Sequence, residues 1–180
     1  MDLFGPSRYA SVNSKYYAFV IVEDFSKFAW VLFLANKYDA FDAFKSFYKR
    51  VQNEKGYTIS CIRSDHSREF QNHAFERFCN DFDIEHQFSS PRTPQQNGVV
   101  ERKNRTIQEM TKTMLNENSL LKYFWAEVVN IACYVLNHVL IRSSLNKTPY
   151  ELWKDRKPNI DYFNIFRCKC FILNTKENLI

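Results

Sequence analysis

Two blocks of sequence decide the fold of this 180-residue chain: CIRSDHSREF at 61–70 and TPQQNGVVERKNR at 93–105. The first block opens with a short apolar run that ends in a carboxylate, Asp65. The second block carries another carboxylate, Glu101, at the start of a basic run, and 35 residues separate the two acids. In open α/β sheets, active groups gather where strands end, and Asp65 stands at such an end. The two blocks are therefore the candidate functional region.

The residues before the first block predict two strands, a helix and a third strand. Continuous apolar runs at 16–22 and 28–34 are typical of buried strands, and the short polar turn between them favours antiparallel pairing. Apolar residues recur at three- and four-residue steps across 39–54, which predicts a helix that Gly56 ends. A strand over 57–64 then leads to Asp65. This order of elements indicates a mixed α/β sheet.

The residues between the two blocks predict a second helix over 72–83 and a short strand over 84–89. The segment 90–98 holds two prolines, a glycine and polar amides, which are typical of a loop. A loop beside a carboxylate is a candidate active-site flap. A long helix is predicted from Val99, so Glu101 falls in its first turn.

The C-terminal third predicts a packing helix over 123–140 and a capped short helix over 147–153. A polar linker at 154–158 and a strand-like run at 166–173 follow. We expect one domain over 1–155 and, over 156–180, an extension that starts a following segment.

Composition limits the classes of protein and partner. A hydrophobic fraction of 45% and an aromatic fraction of 17% argue against disorder. No apolar stretch is long enough to span a membrane, and the N-terminus does not resemble a signal peptide. The net charge of +5 permits a polyanionic partner without requiring one. Five cysteines without a C-x-x-C pair, and four histidines without zinc-finger spacing, predict reduced thiols inside a cell.

A third acid, Asp2, opens the chain in DLFGP at 2–6. Gly5-Pro6 stops any strand there, so a strand that contains Asp2 lacks its first half. Glu101 has two interpretations. It is either a helix-start acid stabilised by the helix dipole and by Arg105, or a metal ligand. The preceding loop and Asp65 favour the ligand.

Five motifs give the chain a resemblance to a known family. They are DLFGP at 2–6, RSD at 63–65 with Glu69-Phe70, TPQQNGVVERKN at 93–104, FWAEV at 124–128 and TPYELW at 148–153. The sequence resembles, over almost its whole length, the integrase catalytic core of copia-type LTR retrotransposons.

The resemblance implies an RNase H-like fold, with a five-stranded mixed sheet that has helices on both faces and a truncated first strand. It implies that Asp2, Asp65 and Glu101 form a catalytic triad that holds two Mg²⁺ or Mn²⁺ ions. The expected reaction is DNA end processing followed by strand transfer, with water and then a DNA 3′-hydroxyl as nucleophile. The expected partners are element-end DNA, target DNA and, in full-length integrase, further copies of the chain. The expected location is the nucleus or a cytoplasmic particle.

Seven polar or basic residues are expected to contact DNA, chiefly through phosphates, which position DNA without reading its sequence. They are Gln95, Gln96 and Asn97 in the loop, and Arg102, Lys103, Arg105 and Lys112 on the long helix.

The sequence also departs from the family. His66, Ser67 and Arg68 replace an N-G-G run, and the lost glycines are expected to stiffen or strain the turn after Asp65. Arg167 stands where the family has glycine before the cysteine. The family's N-terminal zinc-binding domain and C-terminal tail are not part of this sequence. Two other functions stay open: a hydrolytic nuclease on the same fold, and a catalytically inactive relic that only binds DNA.

Overall fold

The computed structural model describes residues 1–56, 58–89, 97–161, 163–166 and 168. The strands in this part of the chain are β1 (Asp2–Phe4), β2 (Tyr17–Val22), β3 (Ala29–Leu34), β4 (Cys61–Ser64) and β5 (Glu85–Phe88). The helices are α1 (Ala40–Lys55), α2 (His73–Asp81), α3 (Gly98–Glu117), α4 (Trp125–His138) and α5 (Pro149–Lys154). Short 3₁₀ turns at Lys37–Asp39 and Lys122–Phe124 precede α1 and α4.

The first three strands form an antiparallel ladder in the order β1-β2-β3. The predicted hairpin is confirmed: Tyr17 stands opposite Leu34, and Val22 stands opposite Ala29. On the other edge of β2, Asp2 stands opposite Val20. Asp2, the first of the three candidate acids, is therefore held in register by a buried strand.

The last two strands form a separate parallel ladder, in which Cys61 stands opposite Glu85 and Ser64 opposite Phe88. The described residues contain five strands, but these fall into two ladders, so the predicted five-stranded mixed sheet is not confirmed as a single sheet. Between the ladders, the amine of Met1 donates a hydrogen bond to the carbonyl oxygen of Arg63 at 2.5 Å.

Helices pack on both faces of β2, as predicted. Phe19 and Ile21 join a core cluster with α1 and α2, whereas Ala18 and Val20 join a second cluster with α3 and α4. Side chains of a strand alternate between its faces, so a run buried at every position must be covered on both sides. The mixed α/β architecture with helices on both faces is confirmed.

Local signals explain where most helices begin and end. Gly56 ends α1 with a left-handed φ of 72°, and the side chain of Asn72 accepts hydrogen bonds from the first turn of α2 at 3.1 and 3.0 Å. Thr148 and Glu151 form a capping box on α5 with Pro149 at its start. The strand predicted over 57–64 is shorter in the structure, because only Cys61–Ser64 pairs with a neighbour. The strand-like run at 166–173 lies mostly outside the described residues.

In the described part of the chain, no helix combines the length and the apolar character that crossing a membrane requires.

Candidate active site

Asp2 lies on β1 in a partly buried setting. Burial raises the pKa of its carboxyl group, and the nearby charge of Asp65 raises it further. Hydrogen bonds from the side chain of Asn104 and from the backbone N–H of Leu3, at 2.8 Å, act in the opposite direction. The carboxylate is thus tied to its own strand and to α3, and it is close enough to Asp65 for the two charges to repel.

Asp65 follows directly after β4, so the strand carries its carboxylate to the same region as Asp2. One carboxylate oxygen accepts a hydrogen bond from the backbone N–H of Ser67 at 3.2 Å. Ser67 in turn accepts from the backbone N–H groups of Phe70 and Gln71 at 3.0 and 2.9 Å. The turn 66–68 contains no residue with a positive φ, so replacing N-G-G here does not force a side chain into the left-handed region.

Asn104, which lies within the motif at 93–104, is a further candidate site residue, although nothing in the sequence assigned it a role. It is only 3% exposed, and its Nδ2 donates to the Asp2 carboxylate. Its Oδ1 is buried and has no hydrogen-bond partner among the described residues. The signal in the sequence was its position: Asn104 lies three residues after Glu101, on the same face of α3.

Glu101 lies in the first turn of α3 and is exposed. Its charge is not among those that shift the pKa of Asp2. Within the described ranges, no three acidic, histidine or cysteine side chains come close enough together to hold a metal ion. The structure therefore brings Asp2 and Asp65 together and leaves Glu101 one helical turn away from the Asn104 contact.

A partly buried polar pair supports the end of β4. The Oγ of Ser64 lies 2.9 Å from the Nε2 of His86 on β5. Burial is the main reason that the pKa of His86 falls to about 4. The imidazole also packs on Phe88, which stacks in turn on His66. A neutral histidine thus stands behind Asp65, and no sequence motif had indicated it.

The residues expected to contact DNA fall into three groups. Exposed positions on α3 are held by Arg102, Arg105 and Lys112. Lys103 is half-buried beside Cys133 of α4, and burial lowers the pKa of its ammonium group. Asn97, at the start of α3, is 4% exposed, whereas Gln95 and Gln96 lie outside the described residues.

The side chains near Asp2 fit a divalent cation. Two carboxylates close enough to repel each other are stabilised by a cation between them, and hard cations such as Mg²⁺ prefer oxygen ligands. The buried Oδ1 of Asn104 without a partner adds an acceptor for a metal-bound water beside Asp2. Oxygen atoms dominate this donor set, as Mg²⁺ or Mn²⁺ requires.

Comparison with known proteins gives three concordant matches. The family described as "Integrase core domain" matches residues 1–94. The Retrovirus-related Pol polyprotein from transposon TNT 1-94 of Nicotiana tabacum is 34% identical over 176 residues, which is 98% of this chain. The corresponding polyprotein from transposon RE2 of Arabidopsis thaliana is 30% identical over 159 residues, or 88% of the chain. The chain spans only 13% and 11% of the lengths of these two polyproteins.

Solved structures share the fold. The HTLV-2 integrase catalytic core domain in complex with magnesium, in its trimeric form, gives a TM-score of 0.60 at 22% identity. That match covers 83% of this chain and 90% of the other. A simian T-cell lymphotropic virus intasome in complex with PP2A regulatory subunit B56 gamma gives a TM-score of 0.66 at 19% identity, covering 96% of this chain and 58% of that one. At these identities the likeness concerns architecture, and it confirms the predicted RNase H-like fold.

Proposed function

Because the chain belongs to the integrase core domain family, we propose that it is the catalytic core of a copia-type retrotransposon integrase, which trims the ends of element DNA and joins them to target DNA. The observation that carries this proposal is that two carboxylates come together, Asp2 on β1 and Asp65 directly after β4. Asp2 and Asp65 interact electrostatically, and Asn104 ties the first of them to the helix that also carries Glu101. The fold thus collects these groups from distant parts of the sequence.

Asp2 and Asp65 would hold Mg²⁺ or Mn²⁺, and Glu101 would complete the triad from the first turn of α3. When bound, such ions activate the attacking oxygen and stabilise the leaving oxygen of an in-line displacement at phosphorus. Asn104 fixes the orientation of the Asp2 carboxylate through its Nδ2, and the backbone N–H of Ser67 does the same for Asp65. Because hydrogen bonds from the protein hold both carboxylates in place, little reorientation is needed when substrate arrives.

The exposed cations of α3 would position DNA beside this site. Arg102, Arg105 and Lys112 lie on the helix whose first turn carries Glu101, and phosphate contacts orient DNA without reading its sequence. Lys103 is less suited to this role, because its ammonium group is half-buried against α4. The loop residues Gln95, Gln96 and Asn97 remain candidates for contacts with phosphates or bases.

The remaining expectations belong to the whole integrase. We propose that the active form is a homo-oligomer bound to element-end and target DNA, acting in the nucleus or in a cytoplasmic particle. The structural neighbours described as an intasome, and as dimeric and trimeric catalytic cores, support assembly.

A strand-transfer assay with Mn²⁺ and a labelled element end tests the function. We expect joined products from the parent chain, and loss of at least about 100-fold in Asp65→Asn, because removing a metal-binding charge removes transition-state stabilisation. Glu101→Gln is expected to lose activity equally, whereas Glu109→Gln, an exposed acid two turns later on α3, keeps it. The chain should be assayed both alone and as part of the longer polyprotein from which such a core would derive.

Each of the other outcomes would support a different conclusion about the chain. DNA cleavage without joined products, lost in Asp65→Asn, would identify a hydrolytic nuclease on the same fold. DNA binding without cleavage or joining in either form of the chain would identify an inactive relic. Joining by Glu101→Gln at the rate of the parent would remove Glu101 from the triad.

A further inference from the structure

Strand β5 presents two rings, those of His86 and Phe88, to the end of β4. The two strands run parallel, with Ile62 opposite His86 and Ser64 opposite Phe88. Residues two apart on a strand lie on the same face, so both rings stand on the face of the ladder that buries Ser64. Asp65 comes directly after Ser64, so the residues before and after this acid lie within reach of β5.

The residue before Asp65 is tied to His86 by a chain of hydrogen bonds. The Ser64 hydroxyl is fully buried and donates to the carbonyl oxygen of Asp65 at 3.0 Å. The same hydroxyl oxygen lies 2.9 Å from the Nε2 of His86. A hydroxyl has one proton to donate, so the imidazole completes the chain by donating from Nε2. The chain of hydrogen bonds therefore runs from β5 to the peptide group that follows Asp65.

The residue after Asp65 is held by Phe88. The rings of His66 and Phe88 stack with their centres 5.0 Å apart and an angle of 19° between their planes. The Nδ1 of His66 also lies 3.2 Å from the Oε1 of Gln71. His66 stands where the family has asparagine, which carries no ring. The stack therefore gives the turn a support that the family's usual N-G-G sequence does not offer.

Both contacts bear on the orientation of the Asp65 carboxylate. That group accepts a hydrogen bond from the backbone N–H of Ser67, which requires the turn to keep its shape. The imidazole at position 86 packs on Phe75 and Phe88, with ring centres 5.9 and 4.1 Å away. An apolar side chain would fill the same space, so packing alone does not require an imidazole. What the imidazole adds is the hydrogen bond to Ser64.

We propose that His86 and Phe88 are positioning residues for Asp65. His86 fixes the peptide group after Asp65 through the Ser64 hydroxyl, and Phe88 fixes the next residue through the ring of His66. Together they hold the carboxylate in the direction in which it binds a cation, without touching the cation or DNA. This role rests on the proposed function, since it takes Asp65 as a metal ligand. Loss of such an outer contact changes metal affinity by about 10- to 100-fold.

The test uses variants of the full chain that separate the two contacts from general packing. His86→Leu removes the donor and keeps an apolar contact, whereas His86→Gln keeps an N–H donor. Phe88→Leu removes the stacking ring, whereas Phe88→Tyr keeps it. His138→Leu is the matched control, because His138 also packs against two aromatic rings but lies on α4. The measurements are hydrogen exchange of the Ser67 amide in metal-free protein, by NMR, and the dissociation constant for Mn²⁺, by isothermal titration.

We expect His86→Leu and Phe88→Leu to speed exchange of the Ser67 amide at least about fivefold, because the turn that protects it loosens. We expect both to weaken Mn²⁺ binding about tenfold. His86→Gln, Phe88→Tyr and the control His138→Leu should stay within about twofold of the parent chain in both measurements.

Equal exchange of the Ser67 amide in His86→Leu and His86→Gln would overturn the role of His86, and equal exchange in the two Phe88 variants would overturn that of Phe88. Exchange sped equally by His138→Leu, or Mn²⁺ affinity unchanged in both leucine variants, would also overturn the proposal. Mn²⁺ binding that Asp65→Asn does not weaken would instead count against the proposed function. Exchange in metal-free protein does not depend on that function, so the two failures are distinguished.

Discussion

At the scale of single residues, Asn104 connects the long helix to the acidic site. Its amide donates to Asp2 while its Oδ1 stays buried without a partner among the described residues. A buried acceptor without a partner costs about 1–3 kcal/mol, so a structural role alone does not explain an asparagine here. The cost is offset when Oδ1 coordinates a cation or accepts a hydrogen bond from a water bound to one.

Asn104→Asp is expected to make stability depend on metal. Without metal, the free energy of unfolding should fall by about 1–3 kcal/mol, because a third carboxylate replaces a donor beside Asp2 and Asp65. Millimolar Mn²⁺ should recover most of that loss. Asn104→Ala loses the same hydrogen bond without adding a charge, so Mn²⁺ should recover much less of its loss. Thermal unfolding with and without Mn²⁺ measures the loss and its recovery in each variant. Equal Mn²⁺ responses in the two variants would contradict a metal site beside Asp2.

His86 is expected to make stability fall in mild acid. Its pKa is lowered from 6.5 to about 4, chiefly by burial, so between these values the unfolded chain binds a proton that the folded chain resists. Its contribution is therefore fully present above pH 6.5 and is lost as the pH falls toward 4. Since solvent reaches part of the ring, we expect about 1–2 kcal/mol.

The matched comparison for this prediction is His86→Gln, which keeps a polar group near the Ser64 hydroxyl without titrating. Chemical unfolding of both chains at pH 7.5, 6, 5 and 4.5 isolates the histidine, because other groups contribute equally to both curves. Burial also lowers the pKa of His138, so the parent chain alone would not separate the two histidines. Parallel curves for parent and variant would show that His86 does not carry the effect.

At the scale of elements, α3 combines the contact to Asp2 with an exposed basic face. Replacing Arg102, Arg105 and Lys112 by alanine should weaken DNA binding and flatten its salt dependence. Each lost phosphate contact changes the log–log slope by about 0.9, so we expect a change of about 2–3. Replacing the exposed Lys45 and Lys49 of α1 removes like charge from another face and should change the slope by less than about 0.5. Fluorescence anisotropy across a salt series measures both, and equal changes would place the DNA elsewhere.

The elements that sequence predicted well are those whose signals are local. Apolar periodicity and capping residues located α1 and α2, and the β2–β3 hairpin followed from two apolar runs and a polar turn. Of the candidate metal site, only the acidic residues could be predicted from the sequence. The contact between Asn104 and Asp2 joins residues 102 positions apart, and nothing local in the sequence encodes it. The separation of the sheet into two ladders depends likewise on backbone pairing, which side-chain patterns do not report.

At the scale of the whole molecule, α5 packs against the aromatic core cluster. The Trp153 ring centre lies 4.9 Å from that of Trp30 and 6.0 Å from that of Phe28, and its indole N–H donates to Glu54 at 3.0 Å. The element furthest along the described chain therefore stabilises the first hairpin and α1.

Two truncations test where the domain ends. A chain ending at Asp155 keeps α5 and should unfold within a few degrees of the parent, as a domain over 1–155 requires. A chain ending at Lys147 loses Trp153 and should lose about 3–5 kcal/mol, the usual cost of removing a buried tryptophan. Differential scanning calorimetry of the three chains decides the point, and equal losses in both truncations would move the boundary beyond residue 155.

The hydrogen bond between Asn104 and Asp2 also makes ion binding and helix position reciprocal. If an ion draws the Asp2 carboxylate toward Asp65, the hydrogen bond between that carboxylate and Asn104 of α3 becomes weaker or stronger. By thermodynamic linkage, anything that shifts α3 then changes the affinity for the ion by the same factor. If DNA binds the basic face of α3 as proposed, it would be such an effector. Ion and DNA would then act on one shared equilibrium through the Asn104 amide, and the affinity measured for either would depend on the concentration of the other.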